Sequence, residues 1–325
     1  MLASDPVSRR TVISLLSKML ALASLPSSAL ATAKTSSKKV YLDYTLDELE
    51  VASDPRANLP NWRETFAKLQ KLGMDARTAN PPTTYSYGEG ETSLVDVHAM
   101  NVPRGAPALI FFHGGGWQLG SKEDMAFMAP VLNGAGIVYV SPNYPLAPHA
   151  PMAQILAASR DAVIWTYRNA DKLGIDREQI FVGGVSAGAH ISAYLLALDW
   201  SGFGLPKMPL KGGVLLSGAY DLAPIKLLKS RAYLGLTDAD VQAFSPIKYV
   251  SRMSAPLLVG WADGDTPVSR YQSSQLVKEA KALGIPVQQN IEVGKNHFDF
   301  AFALADPSSE LSRKITKMIQ GSSRH

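Results

Sequence analysis

The stretch Phe181-Val-Gly-Gly-Val-Ser186-Ala-Gly-Ala-His190 joins two patterns of secondary structure. An apolar, β-branched run at 180–182 leads into it, which is typical of a buried strand. After it, apolar residues recur at three- and four-residue steps over 187–198, which indicates a helix. Gly184-Val-Ser186-Ala-Gly188 therefore stands at a strand-to-helix turn and fits the G-x-S-x-G nucleophile elbow.

Glycines at both ends of this pentapeptide let the backbone turn tightly and hold Ser186 in a strained, exposed position. The helix that begins at Ala187 directs free N–H groups and its positive dipole end toward the serine oxygen. A Gly-rich turn followed by a helix-capping serine would contain the same residue types. The pentapeptide alone therefore leaves both interpretations open.

Composition narrows the class of protein. The 325 residues are 46% hydrophobic and 18% charged, enough for a large core. The chain contains no cysteine, which excludes disulfides, thiolate metal sites and a cysteine nucleophile. No run is long and apolar enough to predict a stable membrane span. The net charge is only +4, and no basic stripe interleaved with aromatics appears, so we expect no nucleic-acid partner.

The first 33 residues predict an export signal. Ser8-Arg-Arg-Thr-Val-Ile13 resembles the twin-arginine consensus, and a mildly apolar region follows. Ala31-Thr-Ala33 supplies an A-x-A cleavage site. Lys18 interrupts the apolar region, and a frayed amphipathic helix of a cytosolic protein is the alternative. We expect a twin-arginine-like signal at 1–33 and export to the periplasm.

The remainder, 34–325, is predicted to be one α/β domain. From Leu109 onward strands and helices alternate, which predicts a mostly parallel, twisted sheet covered by helices on both faces. A helical extension at 41–80 precedes it, with a first helix begun by the capping-box residues Thr45 and Glu48 and a second expected to end at Gly73. The 222–255 segment interrupts the alternation and predicts short helices that act as a lid.

A second glycine-rich stretch, His113-Gly-Gly-Gly-Trp117, follows the predicted strand at 109–112. Its glycines let backbone N–H groups approach a ligand closely. The N–H groups of Gly115 and Gly116, with that of Ala187, are predicted to form an oxyanion hole for acyl transfer. A phosphate-binding loop is excluded because neither G-x-G-x-x-G nor G-K-[ST] is present.

A hydroxyl nucleophile needs a base, and His297 is the candidate among six histidines. It follows the last predicted strand, and the order Ser…Asp…His is that of the hydrolase triad. His190, one helical turn after the serine, is expected to pack beneath the elbow. Asp263 and Asp265 both follow the strand at 257–259, and spacing leaves both open as the acid that orients the imidazole.

With these residues assembled, the chain resembles the α/β-hydrolase superfamily over roughly residues 41 to 305, and most closely its kynurenine formamidase (arylformamidase)-like and carboxylesterase group. The motifs that carry the resemblance are H-G-G-x-W at 113–117, Y-x-L-A-P at 144–148, the elbow at 184–188, a D-x-P…R-x-Q-S-like acid segment at 265–273 and H-F-D at 297–299. The resemblance implies the α/β-hydrolase fold and a triad of Ser186, Asp265 and His297, and it favours Asp265 over Asp263.

These observations predict a serine hydrolase of small carboxylic esters that works through an acyl-enzyme. Its expected partner is a small-molecule ester or formamide, and it needs no metal or organic cofactor. An arylformamidase acting on N-formylkynurenine is the alternative, which the export signal disfavours; a non-catalytic binding module on the same fold is a third hypothesis. Trp117, Tyr144 and Tyr220 are expected to line the pocket. Gly116 and the short lid predict a shallow, open acyl site.

Overall fold

The computed structural model describes residues 38–57, 59 and 61–321. The predicted export signal at 1–33 lies outside the described residues. The division of the chain into a signal and one domain at 34–325 therefore stays a prediction.

Eight strands form one sheet. They are β1 (Thr83–Ser86), β2 (Leu94–His98), β3 (Ala106–Phe112), β4 (Val138–Pro142), β5 (Ile175–Val185), β6 (Leu210–Leu216), β7 (Leu257–Gly264) and β8 (Val287–Asn296). The strand order is β1-β2-β4-β3-β5-β6-β7-β8. All neighbours from β4 to β8 pair in parallel, whereas β1 and β2 pair antiparallel at one edge. The mostly parallel α/β sheet is thereby confirmed.

The α-helices in the described part of the chain are α1 (Leu46–Ser53), α2 (Trp62–Ala79), α3 (Ala129–Gly134), α4 (Met152–Arg168), α5 (Ala170–Leu173), α6 (Ala187–Leu196), α7 (Ala223–Leu227), α8 (Asp238–Phe244), α9 (Pro267–Ala282) and α10 (Glu310–Gly321). The capping box of Thr45 and Glu48 begins α1 as predicted. None of these helices is long and apolar enough to cross a membrane.

Two hydrophobic cores cover the two faces of the sheet. Successive side chains of a strand point to opposite faces, and β3 shows this directly. Ile110 and Phe112 pack in a core with residues of α4, α6 and α9, whereas Leu109 and Phe111 pack in a second core with residues of α3 and α10. The predicted covering of both faces by helices is confirmed. Burial on both faces also explains why β3 is apolar throughout rather than alternating.

The prediction that α2 ends at Gly73 is wrong, since the helix continues to Ala79. Gly73 is buried inside the helix, where a Cβ would stand 2.5 Å from the carbonyl oxygen of Glu123. The glycine therefore permits close packing of α2 on the chain before α3 and does not end the helix. An ion pair of 2.6 Å between Arg77 and the fully buried Asp96 ties the same helix to β2.

The 222–255 segment joins β6 to β7 and contains the short helices that its sequence predicts. Besides α7 and α8 it includes 3₁₀ turns at Lys229–Leu234 and Pro246–Arg252. The carboxylate of Glu50, on α1, accepts hydrogen bonds from the backbone N–H groups of Lys229 and Ser230. The N-terminal helical extension therefore fixes part of this segment.

Candidate active site

The turn between β5 and α6 places Ser186 in a strained backbone conformation. Its φ of 55° and ψ of −116° are unfavourable for any residue with a side chain. A Cβ at Gly188 would stand 2.0 Å from the carbonyl oxygen of Phe112, and one at Gly184 would stand 2.3 Å from that of Gly188. Only glycine at both positions lets α6 approach β3 this closely. The backbone N–H of Ser186 donates to Leu216 on β6 at 2.8 Å, which holds the turn in place.

His297 and Asp265 meet at the carboxyl end of the sheet. The Nδ1 atom of His297 lies 2.9 Å from Oδ1 of Asp265. The carboxylate also accepts from the backbone N–H of Thr266 at 2.7 Å and from the hydroxyl of Ser269 at 3.3 Å. With the Nδ1 proton shared with the carboxylate, the Nε2 atom of His297 is the acceptor nitrogen.

Asp265 remains ionised although its side chain is fully buried. Burial alone would raise its pKa, but the charge of His297 and the hydrogen bonds that the carboxylate accepts outweigh burial and hold the pKa below its usual range. An ionised carboxylate at Nδ1 fixes one tautomer of the imidazole and stabilises its protonated form.

Asp263, the other candidate acid, has its carboxylate on Gly294 and not on His297. It is exposed, and its carboxylate accepts from the backbone N–H of Gly294 at 2.9 Å. Its carbonyl oxygen accepts from Arg270 at 2.8 Å. These contacts join the end of β7 to β8 through Gly294 and to α9 through Arg270, so Asp263 has a structural role. Of the two aspartates that the sequence left open, Asp265 is the one that contacts His297.

Ser186 and His297 share two cavities. The smaller is about 60 Å³, and its lining includes Trp117, Ala187, Ile225 and Gln272. The larger is about 170 Å³, and its lining includes Trp62, Phe66, Met125, Leu119 and Phe298. The serine and the imidazole thus face a common space between a small compartment and a larger, mostly apolar one. Within the described residues no group of three His, Cys, Asp or Glu side chains could hold a metal ion.

The glycine-rich loop borders both compartments. Gly115 has a φ of 114°, and a Cβ there would stand 1.9 Å from the carbonyl oxygen of Leu119. This tight turn requires glycine. Gly115 and Gly116 line the larger cavity, and Gly116 and Ala187 line the smaller one. The three predicted oxyanion-hole residues therefore all border the space that Ser186 faces.

The prediction that three aromatic residues line the pocket is wrong for two of them. Trp117 borders the smaller cavity, but Tyr144 and Tyr220 belong to the lining of neither. Tyr144 is buried behind the glycine loop, where its hydroxyl donates to the carbonyl oxygen of His113 at 2.8 Å. Tyr220 is fully buried with its ring against Gly218. Both residues follow strands, but the direction in which their rings turn depends on packing that the sequence does not show.

His190 is buried beneath the elbow, as predicted. Its Nδ1 atom accepts from the indole N–H of Trp117 at 3.3 Å, so its Nε2–H donates to the carbonyl oxygen of Phe244 at 2.8 Å. Burial lowers the pKa of His190 to about 4, with the hydrogen bond to Phe244 opposing the shift. A neutral imidazole with both nitrogens engaged has a structural role here.

The sequence patterns do not identify Arg231, a residue of the 222–255 segment that borders the proposed active site. A Cβ at Gly116 would stand 2.5 Å from Nη1 of Arg231, and both residues border both cavities. That Nη1 donates to the hydroxyl of Tyr233 at 2.8 Å, which in turn donates to the carbonyl oxygen of Gly116 at 2.7 Å. The prediction that Gly116 leaves open space is therefore wrong, because a guanidinium occupies it. No motif signals this residue.

Comparison with known proteins agrees with the fold. The sequence profile for the α/β-hydrolase fold matches residues 109–301, more than half of the chain. A kynurenine formamidase of Danio rerio is 31% identical over 240 residues, 72% of this chain and 80% of the relative. The carboxylesterase NlhH of Mycobacterium tuberculosis is 39% identical over 156 residues, 47% of this chain and 46% of the relative.

Among solved structures, an esterase of Pyrobaculum calidifontis superposes with a TM-score of 0.65 at 24% identity, covering 86% of this chain and 97% of that one, which supports the fold alone. The two relatives named above are a kynurenine formamidase and a carboxylesterase. Together with the matched profile, they show that this chain is an enzyme of the α/β-hydrolase family, in its formamidase and esterase group.

Proposed function

We propose that the protein is a serine hydrolase of small carboxylic esters, with Ser186, His297 and Asp265 as its triad. The observation that carries the proposal is the 2.9 Å hydrogen bond between His297 and the buried Asp265, in a site where His297 and Ser186 border the same cavities. A strained serine after the central strand supplies the nucleophile that this pair would activate.

In the first half-reaction the Oγ of Ser186 attacks the ester carbonyl while Nε2 of His297 takes the hydroxyl proton. Asp265 holds the imidazole and stabilises its cation. The negative charge on the tetrahedral oxygen faces the backbone N–H groups proposed for the oxyanion hole, those of Gly115, Gly116 and Ala187. The intermediate collapses when His297 returns the proton to the leaving alcohol, which leaves an acyl-enzyme.

In the second half-reaction water attacks the acyl-enzyme, with His297 again acting as the base. A second tetrahedral intermediate forms and collapses, which releases the carboxylic acid and restores the hydroxyl of Ser186. All the groups that move protons or hold charge are provided by the chain, so this chemistry calls for no metal or organic cofactor.

The small compartment supports a short acyl group. Trp117 and Ile225 limit its size, and a long chain that stayed outside would forgo about 0.8 kcal/mol for each unburied methylene. A series of p-nitrophenyl esters from acetate to decanoate tests this. We expect kcat/KM to be highest for the shortest acyl chains and to fall along the series. Decanoate hydrolysed faster than acetate would contradict the proposal.

Arylformamidase activity is the second candidate, and the 31% identity to kynurenine formamidase supports it. The same triad can hydrolyse a formamide, and the formyl group is the smallest acyl group. We expect N-formylkynurenine to be a weaker substrate than p-nitrophenyl acetate. Efficient N-formylkynurenine turnover with negligible esterase activity would establish the second candidate instead. No turnover of any ester or formamide would favour a binding module.

The export signal that we predict at 1–33 disfavours a cytosolic substrate, and we propose that the enzyme acts in the periplasm. Mass spectrometry of secreted protein is expected to find Lys34 as the first residue. Replacing Arg9 and Arg10 by lysine is expected to block export. A soluble cytosolic product that begins at Met1 or Leu2 would contradict the localisation.

A further inference from the structure

Arg231 brings a positive charge into the proposed active site. Its charge acts on the carboxylate of Asp54, but that carboxylate is ion-paired with Arg56 and not with Arg231. The side chain of Arg231 is half-buried and borders both cavities together with Ser186 and His297. In the described part of the chain it forms no ion pair, and the hydroxyl of Tyr233 is the partner of its Nη1. The nearby Arg56 is instead paired with Asp54 at 2.8 and 3.1 Å.

The guanidinium of Arg231 has more N–H donors than the hydrogen bond to Tyr233 uses. An arginine carries five N–H groups in a planar fork, and the hydrogen bond to Tyr233 uses one of them. Partly buried arginines are usually paired with an anion, because removing the charge from water is costly. A carboxylate is the group that a guanidinium fork binds best, through two parallel hydrogen bonds.

The charged groups around the cavities are of both signs, and they differ in whether they have a partner. Arg56 also borders the larger cavity, and its charge is compensated by Asp54. The buried carboxylate of Asp265 is engaged by His297.

Asp124, which also borders the larger cavity, accepts hydrogen bonds from Gln70 and from the backbone N–H of Ser121. Of the two guanidinium groups that border the cavities, that of Arg231 is the one without an ion-pair partner in the described residues. A second polar group, the hydroxyl of Ser53, belongs to the lining of the smaller cavity. This hydroxyl is buried and has no hydrogen-bond partner among the residues that the structure describes.

The position of Arg231 is fixed by contacts on both sides of it. Glu50 holds the backbone N–H groups of Lys229 and Ser230, just before it. Tyr233, just after it, donates to Gly116 at 2.7 Å. The side chain is therefore preorganised, which lowers the conformational entropy lost when a ligand binds. It also lies next to a proposed oxyanion donor, so a bound anion would be only a few bonds from the reacting carbonyl.

We propose that Arg231 recognises an anionic group of the substrate, and that the preferred substrates are small esters that carry a carboxylate on the acyl or the leaving group. This inference rests on the proposed esterase function for its reaction. The larger cavity would hold the apolar body of such a molecule against Trp62, Phe66 and Phe298. The reaction itself is unchanged, and Arg231 selects the substrate.

Two pairs of esters test the inference, and each pair differs by one carboxylate. Mono-p-nitrophenyl succinate against p-nitrophenyl butyrate places the anion on the acyl side, and 4-carboxyphenyl acetate against phenyl acetate places it on the leaving group. We expect Arg231→Met to lower kcat/KM for the anionic member of at least one pair by about tenfold or more, mostly through KM, which is the loss expected for a charge-assisted hydrogen bond. The neutral member is expected to change by less than about threefold, or ~0.6 kcal/mol.

Three matched variants separate charge from shape. Arg231→Lys keeps the charge and is expected to restore part of the preference. Tyr233→Phe removes both the contact to Gly116 and the hydrogen bond that Arg231 donates to Tyr233, but it keeps the charge of the guanidinium. The preference for the anionic ester is therefore expected to persist, while the rates for neutral and anionic esters both fall. Arg252→Met changes an exposed arginine of the same segment that stacks on Tyr249 and borders neither cavity, and it is expected to alter neither rate. Equal losses for neutral and anionic esters in Arg231→Met would overturn the inference, because they would mean that the arginine serves only the oxyanion or the glycine loop.

A binding measurement keeps the inference testable if the chemistry is assigned wrongly. In Ser186→Ala protein, 4-hydroxybenzoate is expected to bind more tightly than phenol by calorimetry, and Arg231→Met is expected to remove that difference. If the wild type hydrolyses no ester yet this difference is found, the proposed function fails and the anion site stands. A third outcome is that esters are hydrolysed, 4-hydroxybenzoate binds no more tightly than phenol, and Arg231→Met changes kcat/KM equally for both members of each ester pair. That outcome would overturn the proposed anion site and leave the proposed esterase function standing.

Discussion

Two regions meet at the proposed active site, and they are built differently. The parallel strands β5, β7 and β8 are each followed directly by one residue of the proposed triad, which are Ser186, Asp265 and His297 in that order. The 222–255 segment consists of short helices and 3₁₀ turns, and it carries Arg231. The first region holds its side chains through the sheet, whereas the second depends on a few contacts such as those of Glu50 and Tyr233.

This difference suggests a division of labour. Groups that must hold one geometry through the reaction lie where strand register fixes them. Groups that distinguish one substrate from another lie on a segment whose sequence can change without disturbing the sheet. The predictions below test this division, from the largest expected effect to the smallest.

The largest effect is expected at the buried acid. Asp265→Asn keeps the shape of the side chain but removes the charge that orients His297, and we expect kcat to fall by roughly 10⁴. Asp263→Asn is the matched control, since the carboxylate of this exposed aspartate contacts the backbone of Gly294 on β8 and not the imidazole. Its kcat on p-nitrophenyl acetate is expected to stay within about tenfold of wild type. The reverse ranking would assign the acid to Asp263.

A smaller effect separates the two regions within one glycine loop. In Gly115→Ala the new methyl meets the backbone of Leu119 at 1.9 Å, so the loop must deform. In Gly116→Ala it meets the flexible end of Arg231 at 2.5 Å, and the φ of 63° costs an alanine about 1 kcal/mol. We expect Gly115→Ala to lose esterase activity and Gly116→Ala to retain it for neutral esters. Equal loss in both, measured on p-nitrophenyl acetate, would contradict the distinction.

The smallest effect concerns the pH dependence of the free energy of unfolding. His190, on α6, contacts Phe244 of the 222–255 segment, so it lies where the two regions meet. The pKa of His190 is lowered from 6.5 to about 4, so between these values the unfolded chain binds a proton that the folded chain does not. The free energy of unfolding is therefore expected to be independent of this group above about pH 6.5 and to decrease from there toward pH 4, by up to about 1.4 kcal/mol for each pH unit. His113, whose pKa burial also lowers to about 4, acts in the same direction.

The matched variant for this effect is His190→Gln, which retains a donor and an acceptor but does not titrate in this range. Urea unfolding at pH 7, 6, 5 and 4 is expected to show a shallower loss of stability in this variant than in the wild type. Identical slopes would contradict a neutral, structural His190.

The same division explains how much the sequence could predict. Strand-end positions gave Ser186, His297 and the choice between two aspartates, because apolar runs mark parallel strands and ligand sites lie at their carboxyl ends. Tyr144 also follows a strand, yet it lies outside the cavities, since ring direction depends on packing. The prediction that α2 ends at Gly73 is wrong because a glycine that permits close packing and one that ends a helix look alike in sequence.

Arg231 could not be predicted at all. The 222–255 segment has no register against the sheet, so spacing along the chain does not tell which of its side chains reaches Gly116. The contact arises from three-dimensional packing of the Lys229–Leu234 turn against the glycine loop and α1. Sequence patterns predict the residues that follow the strands of the sheet. They do not predict which residues of the 222–255 segment contact the site.

Covalent labelling tests the central claim, that Ser186 is a nucleophile activated by His297, most directly. Purified protein is treated with a fluorophosphonate and analysed by intact mass and peptide mapping. We expect one adduct, on the peptide that contains Ser186, none in Ser186→Ala, and labelling slowed by at least about a hundredfold in His297→Gln. Labelling of another residue, or Ser186→Ala protein that still hydrolyses p-nitrophenyl acetate at the wild-type rate, would contradict the account.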